Sequence, residues 1–278
     1  MKRYKLAVAV LPLALFAVGS ARTVLGQAVP TSQPNLLTIT REEVKTGHSA
    51  AHAAHEAGWP SAYAKAKSPY YYLAILSMTG PNEAWYLSSY TSYATYAESM
   101  KMESDNAALT AELARLSRGD ADHINSVRNI HAVARADLSY GAFPDMGLAR
   151  FWEITTFRVR PGHEEGFASA AKVYAAAAKR ATPNASWRTY EVVAGLPGPT
   201  YFVFSSVQSF ADFDRGMTEN AALGKAFTPD ELATLQKFAT AGMINAETHR
   251  FRLDAAQSYV DAATKAKDPS FWNPKGRP

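Results

Sequence analysis

No cysteine occurs in the 278 residues. That excludes disulfides, thiol nucleophiles, Cys-ligated zinc, iron–sulfur clusters and the lipid-modified cysteine of a bacterial lipoprotein. Long apolar runs are almost as scarce. The one that stands out, Leu6 to Val18, falls short of the roughly twenty residues that span a bilayer. Basic residues precede it and small residues follow, the pattern of a secretory signal peptide. "GSA" ending at Ala21 and "GQA" ending at Ala28 both suit a signal peptidase, and "VPTSQPN" after Ala28 reads as an exposed mature N-terminus. A leader over residues 1–28 is therefore expected, with export to the periplasm or the medium and no membrane span once it is removed. Nor is there an excess of one charge. Lys2, Arg3, Lys5 and Arg22 all lie in the leader, which has no acid, so its removal takes the formal charge from +4 to 0. The remaining cations are interspersed with acids, which argues against nucleic acid as a partner. Gly-rich phosphate loops, a GxSxG elbow, an EF-hand loop and HExxH are also missing. What is present is apolar side chain, 47% hydrophobic with 12% aromatic, enough for packed cores without covalent staples.

The chain is written twice. "VKTGH" at 44–48 returns as "VRPGH" at 159–163, and "GPNEAWYLSSYTSYATYAESM" (80–100) runs beside "GPTYFVFSSVQSFADFDRGM" (198–217). "DNAAL" (105–109) answers "ENAAL" (219–223), and "ELARL" (112–116) answers "ELATL" (231–235). An ordered series at a nearly constant separation marks an internal repeat. Residues 35–146 and 149–262 are read as two copies joined through "GAFPDMGLAR", with a tail over 263–278.

Each copy gives the same string of elements. Alternation over 36–40 and 150–160 predicts a first strand. An Ala-rich helix follows over 48–66 or 163–181, ended near Pro69 or Pro183. Two strands come next, "YYYLAILSM" with "EAWYLSS" and "WRTYEVVA" with "TYFVFSS". Further helices start near Ser92, Ser209 and Thr228, the last with a capping box through Glu231. "SRGD" (117–120) reads as a helix break with Gly119 in the turn, and a last extended piece closes each copy. Strand-helix-strand-strand-helix-strand is the ferredoxin-like βαββαβ order. Two such α+β units can lay their bare sheet faces together within one chain. On these stretches, with "REEVKTGH", "HEAGWP" and "GPNEAWYL", the sequence resembles the dimeric α+β barrel superfamily, which includes NIPSNAP-like, EthD-like and antibiotic-biosynthesis-monooxygenase-like domains. It is most similar to exported tandem members. The resemblance implies antiparallel sheets around a barrel, and for function it implies a spread from cofactor-free oxygenases and isomerases to haem enzymes.

Candidate chemistry falls in three places. His48, His52 and His55 share one stripe of a helix, within about 60° of one another. His48 and His55 are separated by about 10 Å of helix rise, so a transition-metal ion would use His52 with one neighbour such as His55, and ligands from elsewhere. Aligned on the Gly-His pairs, His52 falls over Phe167, His55 over Ala170 and Trp59 over Tyr174. The stripe thus occupies apolar positions of the second copy, and the histidines are either pocket groups or side chains satisfied by nearby backbone. His48 and His163 read as residues of helix N-termini. Glu153, opposite the Trp152 and Ile154 face of its strand, is expected to point into the barrel near Glu191 or Arg188, as a base or as half of a buried ion pair. Tyr70, Tyr71, Tyr72, Trp85 and Tyr86 would line the interior or simply fill it. The combined expectation is a barrel that binds a small apolar or aromatic molecule inside, through His55, Trp59, Tyr72, Trp85 and Arg188. Glu153 and His52 are the candidate catalytic groups, with no cofactor. A non-enzymatic envelope scaffold and a metal site at His52 and His55 are the alternatives.

Overall fold

The structure, a computed structural model, describes residues 28–273. The expected leader lies outside these residues apart from Ala28. Eight antiparallel strands close into one barrel. In chain order they are β1 (Leu36–Val44), β2 (Tyr72–Ser77), β3 (Glu83–Tyr90), β4 (Ile124–Ala134), β5 (Phe151–Val159), β6 (Arg188–Ala194), β7 (Thr200–Val207) and β8 (Met243–Tyr259). The order around the barrel is β1-β3-β2-β8-β5-β7-β6-β4. Within each half the strands therefore run fourth, first, third, second. The β2–β8 and β4–β6 ladders join the halves at both seams, so the sheet has no free edge.

Helices cover the outside of each half. The first half carries α1 (Ser49–Glu56), α2 (Gly58–Lys65), α3 (Tyr93–Asp105) and α4 (Ala107–Asp120); the second carries α5 (Glu164–Ala181), α6 (Phe210–Ala226) and α7 (Pro229–Lys237). Ser92, Asn106 and Thr228 each accept a backbone N–H from the first turn of the helix they precede. The capping boxes Ser209 with Asp212 and Thr228 with Glu231 satisfy two orphan donors each. Two expectations are corrected here. The helix expected over 48–66 is two helices meeting at Ala57, where Gly58 lies under Leu116 and Pro60 follows in the first turn. The α4 helix also runs straight through Gly119; that glycine is not a turn residue but a close-approach residue, as described below.

The period-two pattern decides what fills the barrel. Leu37, Ile39, Trp85, Trp152, Ile154 and Phe202 point inward and join one buried cluster. The expected faces of β5 are thus reversed: Trp152 and Ile154 face the interior, and Glu153, Thr155 and Phe157 face the helices. Gly195 (φ +94°) makes the tight β6–β7 turn, and a methyl group there would lie 2.2 Å from the Asn129 carbonyl. Only glycine lets that turn press on β4. Past β8 the chain is no simple tail. Two short helices, α8 (Ala262–Lys267) and α9 (Pro269–Trp272), bring Trp272 into the core, where its indole N–H donates to Gly147 O at 3.0 Å.

Candidate functional site

The barrel interior is packed. The space near its inner residues is a crevice of about 50 Å³ at one mouth, between Pro30, Pro34, Phe143 and Arg188. It could hold a water or two but not an aromatic ligand. Trp85 does point inward, but its indole N–H donates to Glu83, which also takes Arg41. Arg188 is likewise committed. Its guanidinium donates to the carbonyls of Tyr140, Gly141 and Trp187 and clasps the segment that links the halves. Burial holds its pKa below the usual arginine value. Tyr72, expected inside, points outward beneath the helices of the first half, its ring edge-on to Tyr63 and Tyr86.

The large space lies on the outer face of the sheet. A cavity of about 610 Å³ separates β5 and β7 from α5 and α6, within the range of small-molecule sites. Phe213, Met217, Leu223, Tyr174 and Trp187 supply much of its apolar wall. Glu153 and Arg250 form an ion pair at 3.0 Å on the strand side, and Arg250 also lies 4.4 Å from the Phe213 ring centroid. Glu153 therefore borders a ligand-sized space, with Arg250 as its partner in place of the expected Arg188 or Glu191. Glu191 instead pairs with Arg135. Among the described residues lining this cavity there is no histidine, so a haem seated here would find no imidazole for its iron. His163 sits at the N-cap of α5.

The corresponding place in the first half is filled by ionisable side chains. Glu42 comes from the outer face of β1, His52 and Glu56 from α1, and Asp120 from the end of α4. Their exposures are 6%, 2%, 2% and 6%. His52 Nε2 lies 2.9 Å from Glu42 Oε2. His55 Nε2 lies 2.9 Å from Leu116 O and equally close to Asp120 Oδ1. Its N–H is aligned on the carbonyl, which leaves Asp120 Oδ1 without a donor. Glu56 Oε1 is also buried and unpartnered. Burial first, then its hydrogen bond with Asp120 and the charge of Glu42, push the Glu56 carboxyl up to about 9. Donor atoms of Glu42, His52 and Glu56 lie within 4.8 Å of one another, and so do those of His55, Glu56 and Asp120. His48 turns away to His123, the two Nδ1 atoms 3.4 Å apart. Trp59 packs over Ala62 and the α4 leucines with its indole N–H unpartnered.

Comparison with known proteins shows the fold. A Fusobacterium nucleatum protein named "putative monooxygenase" superposes with a TM-score of 0.52 at 8% identity, covering 80% of this chain and 93% of its own. An anthrone oxidase-like protein gives 0.51 at 10% identity, covering 81% and 93%. A Lactobacillus acidophilus protein, also named "putative monooxygenase", gives 0.48 at 7% identity, covering 80% and 94%. No family model matches the sequence, and no curated protein does. The chain thus shares the α+β barrel fold of the Fusobacterium nucleatum and anthrone oxidase-like proteins, with a closed antiparallel sheet of eight strands.

The structure brings His52 and His55 to two adjoining carboxylate groups and separates both from Glu153, which serves the other half. Sequence reasoning did not find Glu42, Glu56 or Asp120. Glu56 had a signal, since it follows His52 by one helical turn. Asp120 had none, because the reading that ended α4 at Gly119 removed it from the helix.

Proposed function

We propose that this chain binds a small aromatic molecule in the cavity between β5, β7, α5 and α6, and not inside the barrel. The observation that carries this reading is the 610 Å³ space itself, walled by aromatic and aliphatic side chains with one ion pair on its strand side. Flat rings suit the Tyr174, Trp187 and Phe213 wall. A phenol or carbonyl oxygen on the ligand would meet Arg250, and Glu153 beside it is placed to accept a proton. Cofactor-free oxygenase- or isomerase-like chemistry would start from that proton transfer. A tricyclic aromatic ketone such as anthrone is a suitable first probe, since an anthrone oxidase-like protein shares the fold. We also propose that the two halves are copies of one ferredoxin-like unit, supported by their identical strand order. Export after cleavage at Ala28 is part of the same reading.

The test is a titration with anthrone, followed by quenching of intrinsic tryptophan fluorescence. Gly216 on α6 lines the cavity and has nothing within 4 Å of where a side chain would start. Gly216→Trp should fill the space and weaken binding tenfold or more while the fold, read by circular dichroism, persists. Binding that is absent in the wild type, or unchanged in Gly216→Trp, would remove this cavity as the ligand site.

A further inference from the structure

We propose that Glu42, His52 and Glu56, with His55 and Asp120 on the far side of Glu56, form a binding site for a divalent transition-metal ion. The site is independent of the aromatic cavity and lies under α1 and α4 of the first half. Three carboxylates converge there in a buried space. Among the described residues their ion-pair partners are imidazoles alone: His52 for Glu42 and His55 for Asp120. No lysine or arginine of the described residues pairs with any of the three. Buried carboxylates are ordinarily matched by a fixed cation or by a metal, and here no fixed cation is supplied. Two oxygens of this cluster, Glu56 Oε1 and Asp120 Oδ1, are buried without a hydrogen-bond donor. Unsatisfied buried acceptors are rare enough in folded chains to need a cause, and a bound ion would satisfy both in place of a proton shared between the Glu56 and Asp120 carboxyls.

The donor geometry agrees. Each triad places one ligand atom per residue within 4.8 Å of the others. An ion with bonds of about 2.0–2.2 Å to nitrogen and oxygen holds tetrahedral donors roughly 3.3–3.6 Å apart, so side-chain shifts of up to about an ångström would close either triad. Imidazole with carboxylate suits zinc, iron or manganese and not a soft ion that needs sulfur. Glu56 belongs to both triads; His55 Nε2 would have to give up the proton it donates to Leu116 O before the second could hold an ion, so the Glu42–His52–Glu56 triad is the first to fill.

The fold itself does not demand these residues. Aligned on the Gly-His pairs, Glu42, His52 and Glu56 correspond to Phe157, Phe167 and Ala171. Those three belong to an apolar cluster in which Phe167 stacks on Tyr201 at 4.1 Å. The same corner of the same scaffold is therefore closed by aromatic rings in one half and by an acid–imidazole set in the other. The half-buried His48 and His123 border the same corner, His123 lying 5.6 Å from the His55 ring.

Dialysed, metal-free protein titrated calorimetrically with Zn²⁺, and with Co²⁺ for its visible absorption, should take up one or two ions per chain and melt at a higher temperature. Glu56→Gln keeps the shape and removes the shared charge, and it should weaken uptake tenfold or more. His52→Ala should do the same, while His48→Ala should leave binding intact. If His52→Ala fails to fold, Glu56→Gln alone decides. Zn²⁺ that neither binds nor raises the melting temperature would overturn the site, leaving a proton-shared cluster. Uptake of wild-type strength in Glu56→Gln would overturn it equally.

Discussion

At the scale of single residues, Gly119 shows how a side chain that is missing can be the functional one. It sits one residue before the end of α4, and a methyl group there would lie 2.3 Å from His55 Cε1. Glycine costs a helix interior about 1 kcal/mol relative to alanine, and the return here is the approach of His55 to Leu116 O and Asp120. Gly119→Ala should therefore destabilise the protein by about 1–2 kcal/mol, because the propensity gain is outweighed by a displaced, partly buried imidazole hydrogen bond. Gly216→Ala on α6 meets no neighbour and should stabilise by up to about 1 kcal/mol. Urea unfolding of the two variants beside the wild type measures both, and equal shifts of the same sign would contradict the role given to Gly119. The sequence already marked His55 as one of a stripe. It gave no sign that the opposite wall was a helical glycine, because an RGD triplet is written the same way in a turn and in the last turn of a helix.

At the scale of elements, the ends of the short helices carry titratable groups that tie them to the barrel. Asp268 caps α9 and binds Arg150, the residue that leads into β5. Its hydrogen bond from Ser270, then the Arg150 guanidinium and the Phe271 N–H, hold its carboxyl down to about 2. An aspartate free in the unfolded chain titrates near 3.9. The folded value is the lower one, so the stabilisation is complete above about pH 4 and is lost as pH falls through about 2. Amide exchange in 262–272, read by mass spectrometry, should rise over that window before the barrel strands open, and Asp268→Asn should show the same exposure at neutral pH. A segment that stays protected below pH 2 would refute the link. Elements of this kind divide by legibility. The strands and the Ser92, Ser209 and Thr228 helix starts were readable, because period-two alternation and capping boxes are local signals. Which face of β5 turns inward was not. Glu153 alternates with Trp152 either way, and only the packing of Trp152 and Ile154 against the opposite sheet sends the acid outward. The split between α1 and α2, and the helices past residue 261, were hidden for the same reason: they are set by contacts with Leu116 and Gly147, far away in the chain.

At the scale of the whole molecule, the two ends of the described residues, at Val29 and Trp272, join one interior cluster of a barrel whose seams are both made between halves. Val29 is buried in the interior cluster, and its backbone N–H donates to Asp261 Oδ2 at 2.8 Å, while Ala28 before it is exposed. Asp261 also caps α8 through the Thr264 N–H at 2.7 Å. Cleavage after Ala28, the position the leader pattern favours, would turn that amide into an α-ammonium facing a carboxylate already in place. A charge-assisted bond replaces a neutral donor, worth about 1–3 kcal/mol when partly buried. A chain starting at Val29 should then be more stable than one carrying extra residues before it, and Asp261→Asn should erase the difference. The pH dependence has a definite sign. A free α-amino group titrates near 7.7–8.0, and pairing raises its folded value. The advantage should be full below about pH 7.7 and should fade as pH rises through the folded value. Thermal melts of both chain lengths from about pH 6 to 10 would show the two curves converging at the alkaline end. Parallel curves, or a longer chain as stable as the shorter one, would mean that the Val29 contact gains nothing from processing and that the barrel mouth is sealed by burial alone.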